Sequence, residues 1–208
     1  MVRWQPEKAT PEEAEAVTSV FWDINLFPVP PGFDARLVRP CINWFLKSHG
    51  YSAPPTIYAV GILTDVHDDI LEDLSSTGIT LYYAPHGSTD IMSLMSRLIS
   101  TSPPPANILG KCDPRGFPLP LSGYNIFRLF SYSSPKQDSI LWGRSFLADS
   151  GALEEETCSE TGESGSWSWL ICNHIGGQGL ENFTKHLSSP NHSQNLSHEG
   201  KASKKRRT

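Results

Sequence analysis

Val20-Phe21-Trp22-Asp23-Ile24-Asn25, closed by Leu26-Phe27-Pro28-Val29-Pro30, is the stretch on which the fold turns: an apolar run with one carboxylate, ended by prolines. Successive side chains of a strand face opposite ways. Asp23 and Asn25 therefore share a face at the end of a β-strand, just before a loop. In open α/β sheets that carboxyl edge is where ligands and metals are held. The plainer reading of the same residues is a buried strand that turns polar as it reaches solvent.

Working outward from this strand, Asp34 is placed to N-cap a helix over 35–48, with Leu37, Cys41 and Phe45 beside Val38, Ile42 and Leu46 on one face. Pro40 kinks that helix or moves its start later. Residues 55–63 read as a buried strand and 66–75 as a helix with Ile70, Leu71 and Leu74 inward and Gly78 just past its end. A strand over 79–84 follows, then a helix capped by Ser88 or Thr89, carrying Ile91, Leu94, Met95 and Leu98, and stopped by Pro103-Pro104-Pro105. Strands at 106–109 and 124–130 complete the series. Alternating strands and helices predict an α/β domain: a parallel, Rossmann-like sheet of about five strands flanked by helices, with its strand C-terminal ends on one edge. Asp23 stands at that edge, and Asp90, at the start of the third helix, beside it.

The chain has 208 residues, 38 % of them hydrophobic, with 17 Pro and 16 Gly. That composition predicts one compact domain with irregular segments around it. Residues 1–18 read as a polar lead-in in which Thr10-Pro11-Glu12-Glu13 caps a short helix, 19–132 as the domain, and 133–166 as an acidic and polar linker. Residues 167–196 read as a small aromatic and His-containing unit, and 197–208 as a basic tail. A net charge of −5 gives no global basic field for nucleic acid. The charge is uneven: six acids and no base lie between Asp149 and Glu163, and five bases and no acid between Lys201 and Arg207. The four cysteines lack disulfide-like spacing, and no apolar run is long enough for a membrane span or a leader. An intracellular protein is expected, with no membrane and no small-molecule substrate.

Phe21-Trp22-Asp23-Ile24, Pro28-Val29-Pro30, Leu74-Ser75-Ser76-Thr77-Gly78, Asp90, Pro104-Pro105-Ala106-Asn107-Ile108 and Gly123-Tyr124-Asn125-Ile126 occur in that order. As a set they resemble the NYN domain of the limkain type, the group that holds the meiosis regulator and mRNA stability factor and its plant relatives. The resemblance covers about residues 20–130. It implies a PIN-like fold, a role in RNA metabolism or regulation of gene expression, and RNA (single-stranded) or RNA-associated proteins as partners. In active members it implies a ribonuclease dependent on Mg or Mn, hard ions that several converging carboxylates hold to activate water. Asp23 and Asp90 match two of the family's acids and are the candidate catalytic and metal-binding residues.

Elsewhere the match lapses. The family's Asp-x-Glu-Asn is here Asp23-Ile24-Asn25-Leu26, so a carboxylate becomes an amide, and Asn25 is left to position phosphate or water. The Ser-Gly-Asp-x-Asp-Phe run after the fourth strand is replaced by Gly110-Lys111-Cys112-Asp113-Pro114-Arg115, where Asp113 is the one substitute acid. The expectation is a degenerate member, weak or inactive. The alternatives are an active Mg/Mn-dependent RNA nuclease and a non-catalytic RNA- or protein-binding module.

Trp169-Leu170-Ile171-Cys172, then Phe183, His186, Leu187 and His192, resemble a two-Cys two-His zinc finger with its first cysteine replaced by Trp169. Cys172, His186 and His192 are the candidate Zn ligands, one short of the usual four. The alternative is a short amphipathic helix over 180–187. The basic cluster Lys201–Arg207 reads as nuclear import or nucleic-acid contact. Nucleus or cytoplasm is expected, with peroxisome implied by the resemblance alone, since no Ser-Lys-Leu tripeptide is present.

Overall fold

The computed structural model describes residues 2–3, 8–112, 122–128, 166–169, 175–178, 180–187 and 189–190. The elements, in order, are β1 (Val2–Arg3), α1 (Pro11–Ala14), β2 (Val17–Asp23), α2 (Val38–Ser48), β3 (Thr56–Gly61), α3 (Asp68–Ser76), β4 (Thr80–Tyr83), α4 (Ser88–Thr101), β5 (Ala106–Lys111), β6 (Tyr124–Arg128), β7 (Ser166–Trp169), β8 (Ile175–Gln178) and α5 (Leu180–Leu187). The strands form one sheet in the order β1-β6-β5-β2-β3-β4-β7-β8. Every neighbouring pair is parallel except β7 with β8. This is the expected α/β architecture. The five strands read from sequence are present, and β1, β7 and β8 extend the sheet on both sides.

β2 lies in the middle, paired with β3 on one side and β5 on the other. Val20, Phe21, Trp22 and Asp23 are all buried, so both faces of this strand are covered, as parallel sheets require. α4 covers one face. Along it Phe21 stacks on Tyr58 at 5.2 Å, Tyr58 meets Tyr82 edge-on at 6.1 Å, and Arg97 Nη2 donates to the Tyr82 hydroxyl at 3.1 Å. α2 adds Val38, Cys41, Ile42 and Leu46 to the core, and α3 adds Leu71 and Leu74.

Local chemistry sets the element ends. Asp34 does cap, but it caps a 3₁₀ turn over Ala35–Leu37, and α2 begins only at Val38. Pro40 thus falls in the first turn of α2, where its missing N–H is lost at no cost. The guanidinium of Arg36 beside Asp34 holds that carboxyl below its ordinary value. α4 starts one residue earlier than a Ser88 or Thr89 cap would allow, with Gly87 at the cap position. β3 ends at Gly61, two residues before its predicted end, and the chain turns through Leu63–Asp65. Thr10 caps α1 as expected, and the Glu13 side chain returns to the Thr10 N–H to complete a capping box.

A buried ladder of amides ties the lead-in to the sheet. Asn107 Nδ2, on β5, donates to the carbonyls of Glu13 (2.8 Å) and Ala16 (3.2 Å) and to Thr18 Oγ1 (3.0 Å). Asn125 Nδ2, on β6, donates to Asn107 Oδ1 (3.1 Å) and to the Tyr51 hydroxyl (3.2 Å). Tyr51 in turn packs edge-on against Phe127 at 5.1 Å. Removing one member leaves buried partners unsatisfied. Asn107→Ala is expected to lower unfolding free energy by about 2–4 kcal/mol, measured by urea denaturation.

Burial pushes the Cys41 thiol up to about 11. The folded state therefore holds the thiol proton more tightly than the unfolded chain, and the associated stability is lost as pH rises from about 9 towards 11. At pH 8 alkylation of Cys41 in the native protein should run about a hundredfold slower than in the urea-unfolded chain, read by peptide mass mapping.

Candidate functional site at the switch point of the sheet

Strand order reverses at β2: the chain passes to β3 and β4 on one side, and later strands β5 and β6 lie on the other. The crevice outside the carboxyl ends of β2 and β5 is the switch point, the place where open α/β sheets hold ligands. Asp23 ends β2 and Lys111 ends β5.

Asp23 is 6 % exposed. Its Oδ1 accepts the backbone N–H of Asn25 (3.1 Å) and of Leu26 (2.9 Å), and the Phe27 N–H donates to the Asp23 carbonyl at 3.0 Å. The carboxylate thus closes the turn that leaves the strand. Trp22 Nε1 fastens the far side of this turn by donating to the Phe27 carbonyl at 2.7 Å.

Asn25 clasps the next strand. Its Oδ1 accepts the Ile62 N–H at 2.6 Å, and its Nδ2 donates to the Ile62 carbonyl at 3.2 Å. An amide suits this task because it offers a donor and an acceptor to one peptide unit; an ionised carboxylate offers acceptors only. The clasp needs Gly61, for a methyl group there would overlap Asn25 Oδ1 and press on Ile24 Cγ2.

Asp90 lies in the first turn of α4, its side chain 15 % exposed. Its Oδ2 accepts the His86 N–H at 2.8 Å and stands 3.3 Å from His86 Nδ1. Tyr83, at the end of β4, has its hydroxyl raised above the ordinary value, first by burial and then by the charges of Asp65 and Asp90. A hydrogen bond with Thr64 works the other way.

Lys111 is 5 % exposed, and its Nζ sits 4.2 Å from the centre of the Phe27 ring. It pairs in register with Trp22 and so shares that residue's face of the sheet. The residue pattern predicts a strand over 106–109 only, short of Lys111. The strand continues because Gly110 and Lys111 still pair with Phe21 and Trp22. The signal for this was the length of the central strand itself, which needs a partner reaching as far as its own end.

Asp23 and Asp90 therefore both stand at the carboxyl edge. Asp113, Cys172 and His192 lie outside the described residues. Among the described residues, no group of three or more His, Cys, Asp or Glu side chains is arranged to hold a metal ion. His186 is carried on α5, half-buried, with its ring 5.8 Å from that of buried Trp167; Phe183 meets the same indole edge-on at 6.0 Å. Among the described residues, no helix is long and apolar enough to cross a membrane. No family model matches the chain, and a search of curated proteins finds no match.

The clasp is open to test. Asn25→Ala removes two hydrogen bonds at a solvent-facing turn and should cost about 1–2 kcal/mol. Gly61→Ala forces the amide off Ile62 and should cost about 1–3 kcal/mol. If the two share one cause, the double variant will fall well short of the sum of the singles by chemical denaturation.

Proposed function

We propose that this chain is a PIN-like module of the NYN kind that serves RNA metabolism by binding, with single-stranded RNA or an RNA-associated protein as its partner, and that it is a degenerate relative of metal-dependent ribonucleases. The observation that carries the reading is the engagement of Asn25. At the position where the resemblance calls for a second carboxylate, an amide holds both polar atoms of the Ile62 peptide. Asp23 supports it further, since its Oδ1 closes a turn. Two-metal phosphodiester cleavage needs carboxylates that face the ions and steady the attacking and leaving oxygens. Here the Asn25 amide and Asp23 Oδ1, at the end of β2, are both engaged by backbone.

Purified full-length protein incubated with single-stranded RNA and Mn²⁺ should produce no cleavage above buffer, while RNA binding persists in EDTA. Cleavage that disappears in Asp23→Asn and Asp90→Asn would establish the nuclease and overturn this reading.

A further inference from the structure

We propose that Thr10 is a phosphorylation site: a proline-directed Ser/Thr protein kinase transfers the γ-phosphoryl group of ATP to its hydroxyl, and the phosphate unwinds α1. Thr10 Oγ1 forms the new bond to phosphorus, the bond to the bridging oxygen of ADP breaks, and the hydroxyl proton passes to a base on the kinase. The site precedes the start of β2, at the opposite end from Asp23, and is independent of the RNA-binding reading.

Proline directly after the acceptor is the feature such kinases read, and the chain offers it at Thr10-Pro11, Ser102-Pro103, Ser134-Pro135 and Ser189-Pro190. Ser134 lies outside the described residues. Ser102 and Ser189 are half-buried and held by backbone. The Ser102 N–H donates to the Leu98 carbonyl at 3.1 Å, and its carbonyl accepts the Tyr124 hydroxyl at 2.8 Å; the Ser189 N–H donates to the His186 carbonyl at 3.0 Å. Thr10 differs from both. It is exposed, as are Lys8, Pro11 and Glu12, and its backbone is already extended, with φ −70° and ψ 161°, the form in which a kinase cleft takes an acceptor. The residues after it must also straighten. α1 is a four-residue turn with no buried residue, and a single turn is the least cooperative piece of helix, so it opens readily.

The same geometry gives the modification its effect. Thr10 Oγ1 accepts the Glu13 N–H at 3.3 Å, while Glu13 Oε2 accepts the Thr10 N–H at 2.9 Å. A phosphate on Oγ1 is therefore set against the Glu13 carboxylate, with Glu12 beside it. Phosphothreonine carries about −2 of charge, and next to acids it acts by repulsion. A four-residue turn aligns too few peptides for its dipole to offset two carboxylates. The capping box opens, and the Glu13 carbonyl, which accepts Asn107 Nδ2 at 2.8 Å, is freed to leave the amide ladder. The flanks stay anchored: the Ala9 N–H donates to the His49 carbonyl at 2.8 Å, and the Ala14 carbonyl accepts the Ser52 N–H at 2.8 Å.

The test incubates the full chain with MgATP and an active mitogen-activated protein kinase, a proline-directed enzyme, and locates phosphate by peptide mass mapping. Thr10 should be labelled, Thr10→Ser should retain the label at residue 10, and Thr10→Ala should lose it. The wild-type protein should be labelled at a rate within about tenfold of a synthetic peptide of residues 4–17, since a cap of this kind holds its turn by about that factor at most. This comparison needs no variant to fold. In the phosphorylated protein the Glu13 and Ala14 amides should exchange with solvent about fivefold faster or more by NMR, with those of β2 unchanged. Label on Ser102, Ser134 or Ser189 with Thr10 unmodified, a native rate more than about tenfold below that of the peptide, or label that survives Pro11→Ala overturns the site. Glu13 and Ala14 amides that exchange no faster after phosphorylation overturn the unwinding.

Discussion

A strand hydrogen-bonded on both sides and covered on both faces has no water to turn to, and β2 is in that position. Every buried polar atom along it must be satisfied from within the protein. The two ends meet this demand differently. At the start, Thr18 and the carbonyls of Glu13 and Ala16 are gathered by Asn107, which is held in turn by Asn125. At the finish, Asp23 gathers the amides of its own turn and Asn25 reaches across to Ile62. The rest of the sheet hangs on these terminations, because a slip of one residue along β2 would invert its faces and uncouple both sets.

Most of the central fold was legible from residue pattern. Periodicity placed the helices around Cys41, Leu71 and Leu94, and alternation of elements made the sheet parallel. What stayed hidden was decided by partners distant in sequence. Nothing near Ile62 says that β3 stops at Gly61; the stop depends on an amide thirty-seven positions earlier. Gly110-Lys111 reads locally as the start of a loop, and it belongs to the sheet only because Phe21 and Trp22 extend to meet it. The three outer strands escaped notice for a related reason. Val2–Arg3 is too short to carry a period, and Ser166–Trp169 looks like a finger fragment until β4 is seen beside it.

The candidate site was legible in position and not in chemistry. Asp23 and Asp90 do reach the carboxyl edge, as topology demands. Which atoms their side chains serve is a matter of hydrogen-bond geometry that residue identity leaves open. A carboxylate that accepts turn amides and one aimed at a metal are the same three letters in a sequence. The Asn25 amide was the better clue, since its paired donor and acceptor match a peptide unit more closely than they match an ion.

The parallel pairing of β7 with β4 has a practical consequence for anyone handling pieces of this protein. β4 is a short, tyrosine-rich strand whose outer hydrogen-bonding side is met by Ser166–Trp169, with the Trp167 indole sealed by Phe183 and His186. A fragment cut after β6, where the sequence alone would end the domain, strips that cover and leaves an apolar strand edge open to any chain that can add to it. The region that looks like an appendage is the guard on one flank of the sheet, and the shorter fragment should be the stickier one.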